Sequence, residues 1–364
     1  MEHPENDDLY KGLKVNKGVT DVPTVNPYMK KRVQRRQYTT SEFVESILKG
    51  NITILSQAVT LVESSKHEHQ QVAQEIIEKC LPHAGKSVRI GITGVPGAGK
   101  STSIDSFGMH LIKEGRKLAV LAIDPSSERS KGSILGDKTR MELLSREKNA
   151  FIRPSPSAGS LGGVARKTRE TIVLCEAAGF DTVFVETVGV GQSETAVHSM
   201  VDFFLLIQLA GTGDELQGIK RGIMEMADGI IINKADGDNV DKAKLAAAQF
   251  RNALHLFPPT ESGWFPKVLT YSGYYNLGIK EIWDMVGEYM EFTKKNGYFE
   301  HKRNEQAKYW MYESINDTLR DTFYHNPAVE EMLSYTEKQV LHNEISSFVA
   351  AKRMMDLFLA NIRK

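Results

Sequence analysis

The sequence has few cysteines: Cys80 and Cys175 are the only two in 364 residues, and they lie far apart. Neither belongs to a Cys-x-x-Cys pair or to a cysteine and histidine cluster with the spacing of metal ligands. We therefore expect neither a disulfide framework nor a cysteine-rich metal site. The two thiols instead predict a reducing, cytoplasmic location.

Long apolar runs and an excess of charge of one sign are also missing. No apolar run approaches the roughly 20 residues that span a bilayer. The opening stretch MEHPENDDLY lacks the apolar core of a secretory signal, and its acidic residues argue against a mitochondrial presequence. Lysine plus arginine equals aspartate plus glutamate at 46 each. The chain therefore has no net charge that would attract nucleic acid or a membrane surface. We expect neither as a partner.

Apolar runs and helical patterns alternate through the middle of the chain. Most of the runs are continuous, which is typical of strands covered on both faces. The strands predicted in this way cover residues 88–92, 118–123, 182–185, 203–209, 229–232 and 268–271. The alternation predicts an α/β fold with a mostly parallel sheet flanked by helices.

Composition divides the chain into four predicted segments. Residues 1–37 are polar with a basic run at 30–36, which predicts a flexible, solvated arm. Residues 38–86 have a helical pattern, and residues 87–297 hold the α/β domain. Residues 298–364 have a helical pattern without a strand or a second phosphate-type loop, so we expect a packing or dimerising extension.

The stretch from Gly94 to Ser101 has the P-loop pattern G-x-x-x-x-G-K-S/T, between a predicted strand and a predicted helix. Glycines there let backbone N–H groups face a polyphosphate, and the helix N-terminus adds its positive dipole end. Lys100 is expected to reach the β- and γ-phosphates, and the Ser101 hydroxyl to bind Mg²⁺. The residues predicted to bind the phosphates are Gly94, Pro96, Gly97, Ala98, Gly99, Lys100, Ser101 and Thr102.

Two further strand ends carry carboxylates suited to the metal side of such a site. Asp124 follows one predicted strand, at the edge where open α/β sheets hold ligands. Glu186 begins the stretch E-T-V-G, which has the layout of the GTPase D-x-x-G switch, and Gly189 can offer its N–H to the γ-phosphate. Val190 follows, where many GTPases carry a water-positioning glutamine. We therefore expect slow intrinsic hydrolysis, with Gln192 as one candidate for the missing group.

The stretch from Asn233 to Asp236 has the N-K-x-D signature and follows a predicted strand. A carboxylate only accepts hydrogen bonds, and guanine presents two adjacent N–H donors where adenine does not. Asp236 is thus predicted to select GTP or GDP, while Lys234 covers the base and Asn233 braces the loop. Ser272 and Gly273, after the last predicted strand, are weaker candidates for a contact to the guanine oxygen.

The stretch from about Ser87 to Asp236 resembles the MeaB/ArgK family, whose human relative is the methylmalonic aciduria type A protein. The similar blocks are GITGVPGAGKST, LAIDPSS, GSILGDKTRM, FIRPSPSAGSLGGVA, VETVGVGQSE, GTGDELQGIKRGIMEMAD and NKAD. The resemblance implies a homodimeric GTP hydrolase that guards and reloads an adenosylcobalamin-dependent methylmalonyl-CoA mutase or a close relative. By position it implies that Asp124, Asp137 and Glu186 are metal-side acids.

The resemblance also implies that Gln217 and Lys220 lie in a mobile segment that carries the partner's influence to the nucleotide. From the residues alone, this glycine-flanked loop is equally typical of a switch and of a solvated loop. The predicted catalytic residues are therefore Lys100, Gln192, Gln217 and Lys220.

Two alternatives use the same P-loop. One is a kinase linked to basic amino-acid transport, an older label of the family, but the guanine signature and the lack of an identifiable acceptor site disfavour it. The other is a nickel-delivery GTPase, which needs metal-collecting side chains. The chain offers His67 and His69 in a polar helical stretch, where solvated histidines are the more ordinary reading. The prolines and aromatics between Phe257 and Trp264 are explained by none of these motifs.

Overall fold

The computed structural model describes residues 38–124, 141–156, 161–187, 193–210 and 221–362. The predicted arm over residues 1–37 lies outside these ranges. All the elements given below belong to one compact unit, Thr40–Lys364.

Between residue 38 and the sheet lie the helices α1 (Thr40–Leu48), α2 (Ile52–Glu63) and α3 (His67–Cys80). Asn51 caps α2, because its Oδ1 accepts hydrogen bonds from the backbone N–H groups of Thr53 at 3.1 Å and Ile54 at 3.2 Å. The helices bury apolar faces against one another and against a later helix, α5 (Leu161–Ala177). The N-terminal segment is therefore packed onto the α/β core.

Seven parallel strands form one sheet. They are β1 (Val88–Gly94), β2 (Leu118–Asp124), β3 (Ala150–Pro156), β4 (Thr182–Thr187), β5 (Phe203–Leu209), β6 (Gly229–Asn233) and β7 (Lys267–Thr270). Their order is β3-β2-β4-β1-β5-β6-β7, and every neighbouring pair is parallel. The predicted α/β fold with a parallel sheet is confirmed.

Alternate residues of the strands enter different cores, as the period of two requires. Leu205 and Ile207 of β5 pack with α4 (Lys100–Lys113) and α9 (Ile279–Lys295). Leu206, between them, packs with α8 (Val240–Leu254) on the other face. Since helices cover both faces, the central strands read as continuous apolar runs rather than alternating ones.

β3 is a strand that the sequence pattern missed. Pro154 and Pro156 argue against a strand in the middle of a sheet, because proline cannot donate to the hydrogen-bond ladder. Among the described residues, β3 pairs only with β2 and so lies at the edge of the sheet, where the missing donors are tolerated. The two prolines of β3 are therefore compatible with its place at the edge of the sheet.

The chain ends in three helices: α10 (Tyr298–Tyr324), α11 (Pro327–Leu341) and α12 (Ser347–Ile362). Asn326 caps α11 by accepting from the N–H groups of Ala328 at 3.1 Å and Val329 at 3.4 Å. Val329, Met354 and Phe358 form a small separate core. These helices confirm the predicted helical C-terminal extension, and no helix in the described ranges is long and apolar enough to cross a membrane.

Candidate nucleotide-binding site

The predicted P-loop connects the end of the central strand β1 to the beginning of α4, at the carboxyl edge of the sheet. The backbone there leaves no room for side chains at two glycines. A Cβ at Gly94 would lie 2.2 Å from the carbonyl oxygen of Ile207, and one at Gly99 would lie 2.6 Å from the Asn233 amide nitrogen. The loop's glycines thus permit close contact with two neighbouring strands, β5 and β6.

Lys100 folds back over this loop. Its Nζ donates a hydrogen bond to the carbonyl oxygen of Gly94 at 2.8 Å. Burial lowers the pKa of Lys100, and the negative charges of Glu186 and Glu194 oppose that shift. The ammonium is therefore held inside the cradle that the sequence predicts for phosphates.

Ser101 and Glu186 come together as the sequence predicts. The Ser101 hydroxyl donates to Glu186 Oε1 at 3.4 Å, and Glu186 is 4 % exposed at the end of β4. Hydroxyl and carboxylate oxygens are ligands that Mg²⁺ accepts, so this pair fits the cation. Asp124 ends β2, the strand next to β4, at the same edge of the sheet.

Several predicted residues lie outside the described ranges, and the structure does not place them. They are Asp137, Gly189, Gln192, Gln217 and Lys220.

Asn233 joins three loops at the end of β6. Its Nδ2 donates to the carbonyl oxygen of Ala98 at 2.7 Å, and its Oδ1 accepts from the N–H groups of Lys234 at 2.8 Å and Gly273 at 3.1 Å. The amide is 3 % exposed, so water cannot replace these bonds. The arrangement fixes the P-loop relative to the predicted base-binding loops.

Asp236 and Ser272 also meet, because the Ser272 hydroxyl donates to Asp236 Oδ2. Lys234 adopts a left-handed backbone conformation with φ of 61°, and its carbonyl oxygen accepts from Asn239 Nδ2 at 2.8 Å. The structure thus gathers the N-K-x-D residues and the Ser272–Gly273 turn into one cluster beside the P-loop.

Two residues of this region were not predicted. Tyr271, before the Ser272–Gly273 turn, shares a 2.5 Å hydrogen bond with the Ser106 hydroxyl of α4, and burial raises its pKa. Glu194 is 2 % exposed in the first turn of α6 (Ser193–His198), close enough to Lys100 to influence its charge. Tyr271 belongs to no motif, and Glu194 ends the block VETVGVGQSE without a role assigned to it, so burial in the folded chain is what draws attention to them.

The unexplained stretch from Phe257 to Trp264 lies elsewhere. It lines a cavity of about 530 Å³ together with α7 (Arg221–Met226), Asp228 and residues of α10. Trp264 Nε1 donates to the carbonyl oxygen of Asp228 at 2.9 Å, just before β6 begins. This cavity is therefore at the amino end of the strands, away from the P-loop.

His67 and His69 lie on α3, remote from the cluster around Asn233. His69 Nδ1 is 2.8 Å from the Ser64 hydroxyl, and His67 Nε2 is 3.0 Å from Gln71 Nε2. Within the part of the chain that the structure describes, no three histidine, cysteine, aspartate or glutamate side chains form a group that could hold a metal ion. The two histidines thus have ordinary surface partners.

Comparison with known proteins shows the family of the chain. The family model described as methylmalonyl-CoA mutase-associated GTPase MeaB matches residues 55–328. A putative GTPase of Caulobacter vibrioides is 50 % identical over 312 residues, which cover 86 % of this chain and 95 % of that protein. The mitochondrial methylmalonic aciduria type A homolog of Mus musculus is 44 % identical over 322 residues, covering 86 % and 78 %.

A solved structure extends the likeness to three dimensions. The crystal structure of a LAO/AO transport system kinase superposes with a TM-score of 0.69 at 37 % identity, covering 88 % of this chain and 97 % of that one. The resemblance seen in the sequence blocks is therefore confirmed over most of the chain. The chain belongs to the MeaB family of methylmalonyl-CoA mutase-associated GTPases and is itself a GTPase.

Proposed function

We propose that this GTPase depends on Mg²⁺ and acts as a chaperone for an adenosylcobalamin-dependent methylmalonyl-CoA mutase or a close relative. GTP binding and hydrolysis would be coupled to loading and protection of the mutase cofactor, in a cytoplasmic homodimer. Nucleotide binding, the first part of the proposal, rests on one observation. The Asn233 amide is hydrogen-bonded both to Ala98 in the P-loop and to Gly273 in the predicted base-binding turn. The family description supports the client.

Phosphate binding follows from the loop between β1 and α4. The Lys100 ammonium, which now donates to Gly94, exchanges this carbonyl for the β- and γ-phosphate oxygens. Backbone N–H groups from Gly97 to Thr102 complete the cradle at the beginning of α4. Because the ammonium is partly buried, its attraction for the phosphates is stronger than it would be in water.

Guanine recognition is assigned to Asp236. Its carboxylate accepts hydrogen bonds from the base, and the Ser272 hydroxyl holds the carboxylate in place. The Lys234 stem covers one face of the base. An adenine ring lacks the two adjacent donors, so the cluster favours guanine nucleotides.

Mg²⁺ would be held by Ser101 and Glu186, whose oxygens already converge, and by Asp124 and Asp137 on the strength of the family resemblance. When bound, Mg²⁺ neutralises charge that develops on the β- and γ-phosphates. The protein's part is to keep the Glu186 carboxylate buried at the end of β4, where it faces Ser101.

Water positioning is the step that the client would complete. The apolar Val190 cannot orient a water molecule, which leaves Gln192, Gln217 and Lys220 as the candidates within the chain.

We expect methylmalonyl-CoA mutase to raise the GTP turnover of the wild-type chain, and Lys220→Ala to keep the basal rate but lose the stimulation. Steady-state turnover with and without mutase tests this. Undiminished stimulation of Lys220→Ala would shift the role to Gln192, Gln217 or the partner, whereas no stimulation of the wild type would refute the client.

The C-terminal helices support the homodimer. Between α10, α11 and α12 lies a groove of about 840 Å³ with largely apolar walls, including Phe323, Met354 and Phe358. Leu341 is 78 % exposed at its border, and Phe348 of α12 is 86 % exposed. Exposed apolar patches of this kind mark interfaces. Light scattering should show a dimer for the wild type and a monomer for Leu341→Glu, and an unchanged mass would remove this interface from the proposal.

A further inference from the structure

One face of α10 is bonded to the segment that links α6 to β5. Lys302, Gln306 and Trp310 recur at intervals of four residues, so they lie on the same side of the helix. They donate to four main-chain carbonyls: Gln306 Nε2 to His198 at 3.4 Å and to Val201 at 2.8 Å, Trp310 Nε1 to Ser199 at 3.0 Å, and Lys302 Nζ to Asp202 at 2.8 Å.

The His198 carbonyl is the last of α6, and the other three carbonyls belong to the residues that follow the helix. The last carbonyls of a helix have no partner within the helix and need one from outside. Here a helix more than 100 residues later in the sequence supplies it, since Gln306 and His198 are 108 residues apart. Gln306 and Trp310 are each 6 % exposed, so water does not compete for the contact.

The link continues into the centre of the sheet. Arg303 of α10 donates to both carboxylate oxygens of Asp202 at 2.8 Å. Asp202 in turn accepts from the N–H of Arg89 in β1 at 2.9 Å. The end of α6 is therefore fixed to α10 and to the strand that leads into the P-loop.

The first turn of α6 carries a buried acidic residue, Glu194. Its negative charge opposes the burial that lowers the pKa of Lys100, the lysine of the P-loop. α6 has six residues and is therefore about 9 Å long. Glu194 and His198 lie four residues apart, about one helical turn, so a contact that restrains His198 also restrains Glu194 through the helical backbone.

We propose that Gln306 and Trp310 are positioning residues for GTP hydrolysis, which act through α6 to hold Glu194 against the phosphate site. They touch neither nucleotide nor metal. The inference rests on GTP hydrolysis at the P-loop and not on the identity of the client. It also gives the C-terminal extension a physical route to the nucleotide.

The test uses the full chain without mutase and two variants that remove only the donors, Trp310→Phe and Gln306→Met. Tyr312→Phe is the matched control, because Tyr312 lies on α10 but is 61 % exposed. We expect the kcat for GTP to fall about tenfold in both variants, since misplacement of about 1 Å remote from the chemistry can cost up to about 10²-fold. GTP affinity should change less than about twofold, as the P-loop contacts are untouched. The control should match the wild type.

A double-mutant cycle separates this role from general loosening of the fold. If Gln306 and Trp310 act through Glu194, Trp310→Phe should reduce kcat much less in a Glu194→Gln background than in the wild type. Additive losses would overturn the proposal, and so would a normal kcat in Trp310→Phe. A fall in GTP affinity that parallels the fall in kcat would also overturn it. Absence of hydrolysis by the wild type would instead refute the GTPase assignment itself.

Discussion

Gly99 provides a sharp test of the site because it is the P-loop residue that packs against Asn233, the residue that joins the P-loop to the base-binding loops. Its φ is +84°, and an added Cβ would lie 2.6 Å from Asn233 Nδ2. Gly97, two residues earlier, has a φ of +79°, and no atom of the residues that the structure describes lies within 4 Å of the added Cβ. Both substitutions thus place an alanine in a left-handed backbone conformation. Gly99→Ala in addition brings the new methyl group against the Asn233 amide.

The expected magnitudes follow from these contacts. A left-handed alanine costs about 1–2 kcal/mol at either position. At position 99, the methyl group must also displace the buried Asn233 amide from the Ala98 carbonyl, which adds about 1–3 kcal/mol for the lost hydrogen bond and the unpaired groups. Effects of glycine on the unfolded chain are common to both variants and cancel in the difference. We therefore expect Gly99→Ala to be less stable than Gly97→Ala by about 1–3 kcal/mol.

Urea unfolding of the nucleotide-free protein measures this difference. Asn233→Ala provides the internal check, because without the amide the added methyl group meets no side chain. In that background, Gly99→Ala should cost only the strain that Gly97→Ala costs in the wild type. Equal stability of Gly97→Ala and Gly99→Ala in the wild-type background would refute the role of Asn233 as the brace between the two loops.

Three further predictions concern base, metal and pH. Asp236→Asn should lose GTP affinity, by up to about 10⁴-fold for a site that discriminates through such bonds, and should bind xanthine nucleotide better; equal binding of ATP and GTP by the wild type would contradict this. Glu186→Ala should raise the Mg²⁺ concentration needed for half-maximal turnover more than it weakens GTP binding, and normal turnover at low Mg²⁺ would exclude the metal role. Burial, with Lys302 adding to it, lowers the pKa of His198 from an ordinary 6.5 to about 3, so the unfolded chain takes up a proton between these values and the folded chain does not. Stability should therefore fall as pH falls through this window, and less so in His198→Gln; urea midpoints at pH 7.5 and pH 5 that drop equally in both would show that His198 does not contribute.

Much of the candidate site could be predicted from short patterns in the sequence. The P-loop is a run of contiguous residues, and its position between β1 and α4 could be read because a strand and a helix flank it. The same holds for Asn233 to Asp236 after β6. In each case the chemistry depends on neighbours in sequence, so the sequence by itself was enough to predict it.

Other features depended on contacts between distant parts of the chain. β3 was not predicted, and only the strand order shows that its prolines lie at an edge of the sheet, where they are tolerated. The bond from Trp310 to Ser199 joins residues 111 positions apart, and the meeting of Tyr271 with Ser106 spans 165. Such pairings leave no periodic pattern in the sequence, because they depend on which faces of the helices and strands are buried against each other. The sequence by itself therefore predicted which nucleotide groups the chain recognises. Only the tertiary structure showed that Asn233 links the P-loop to the turn at Gly273 and that Gln306 of α10 bonds to the end of α6.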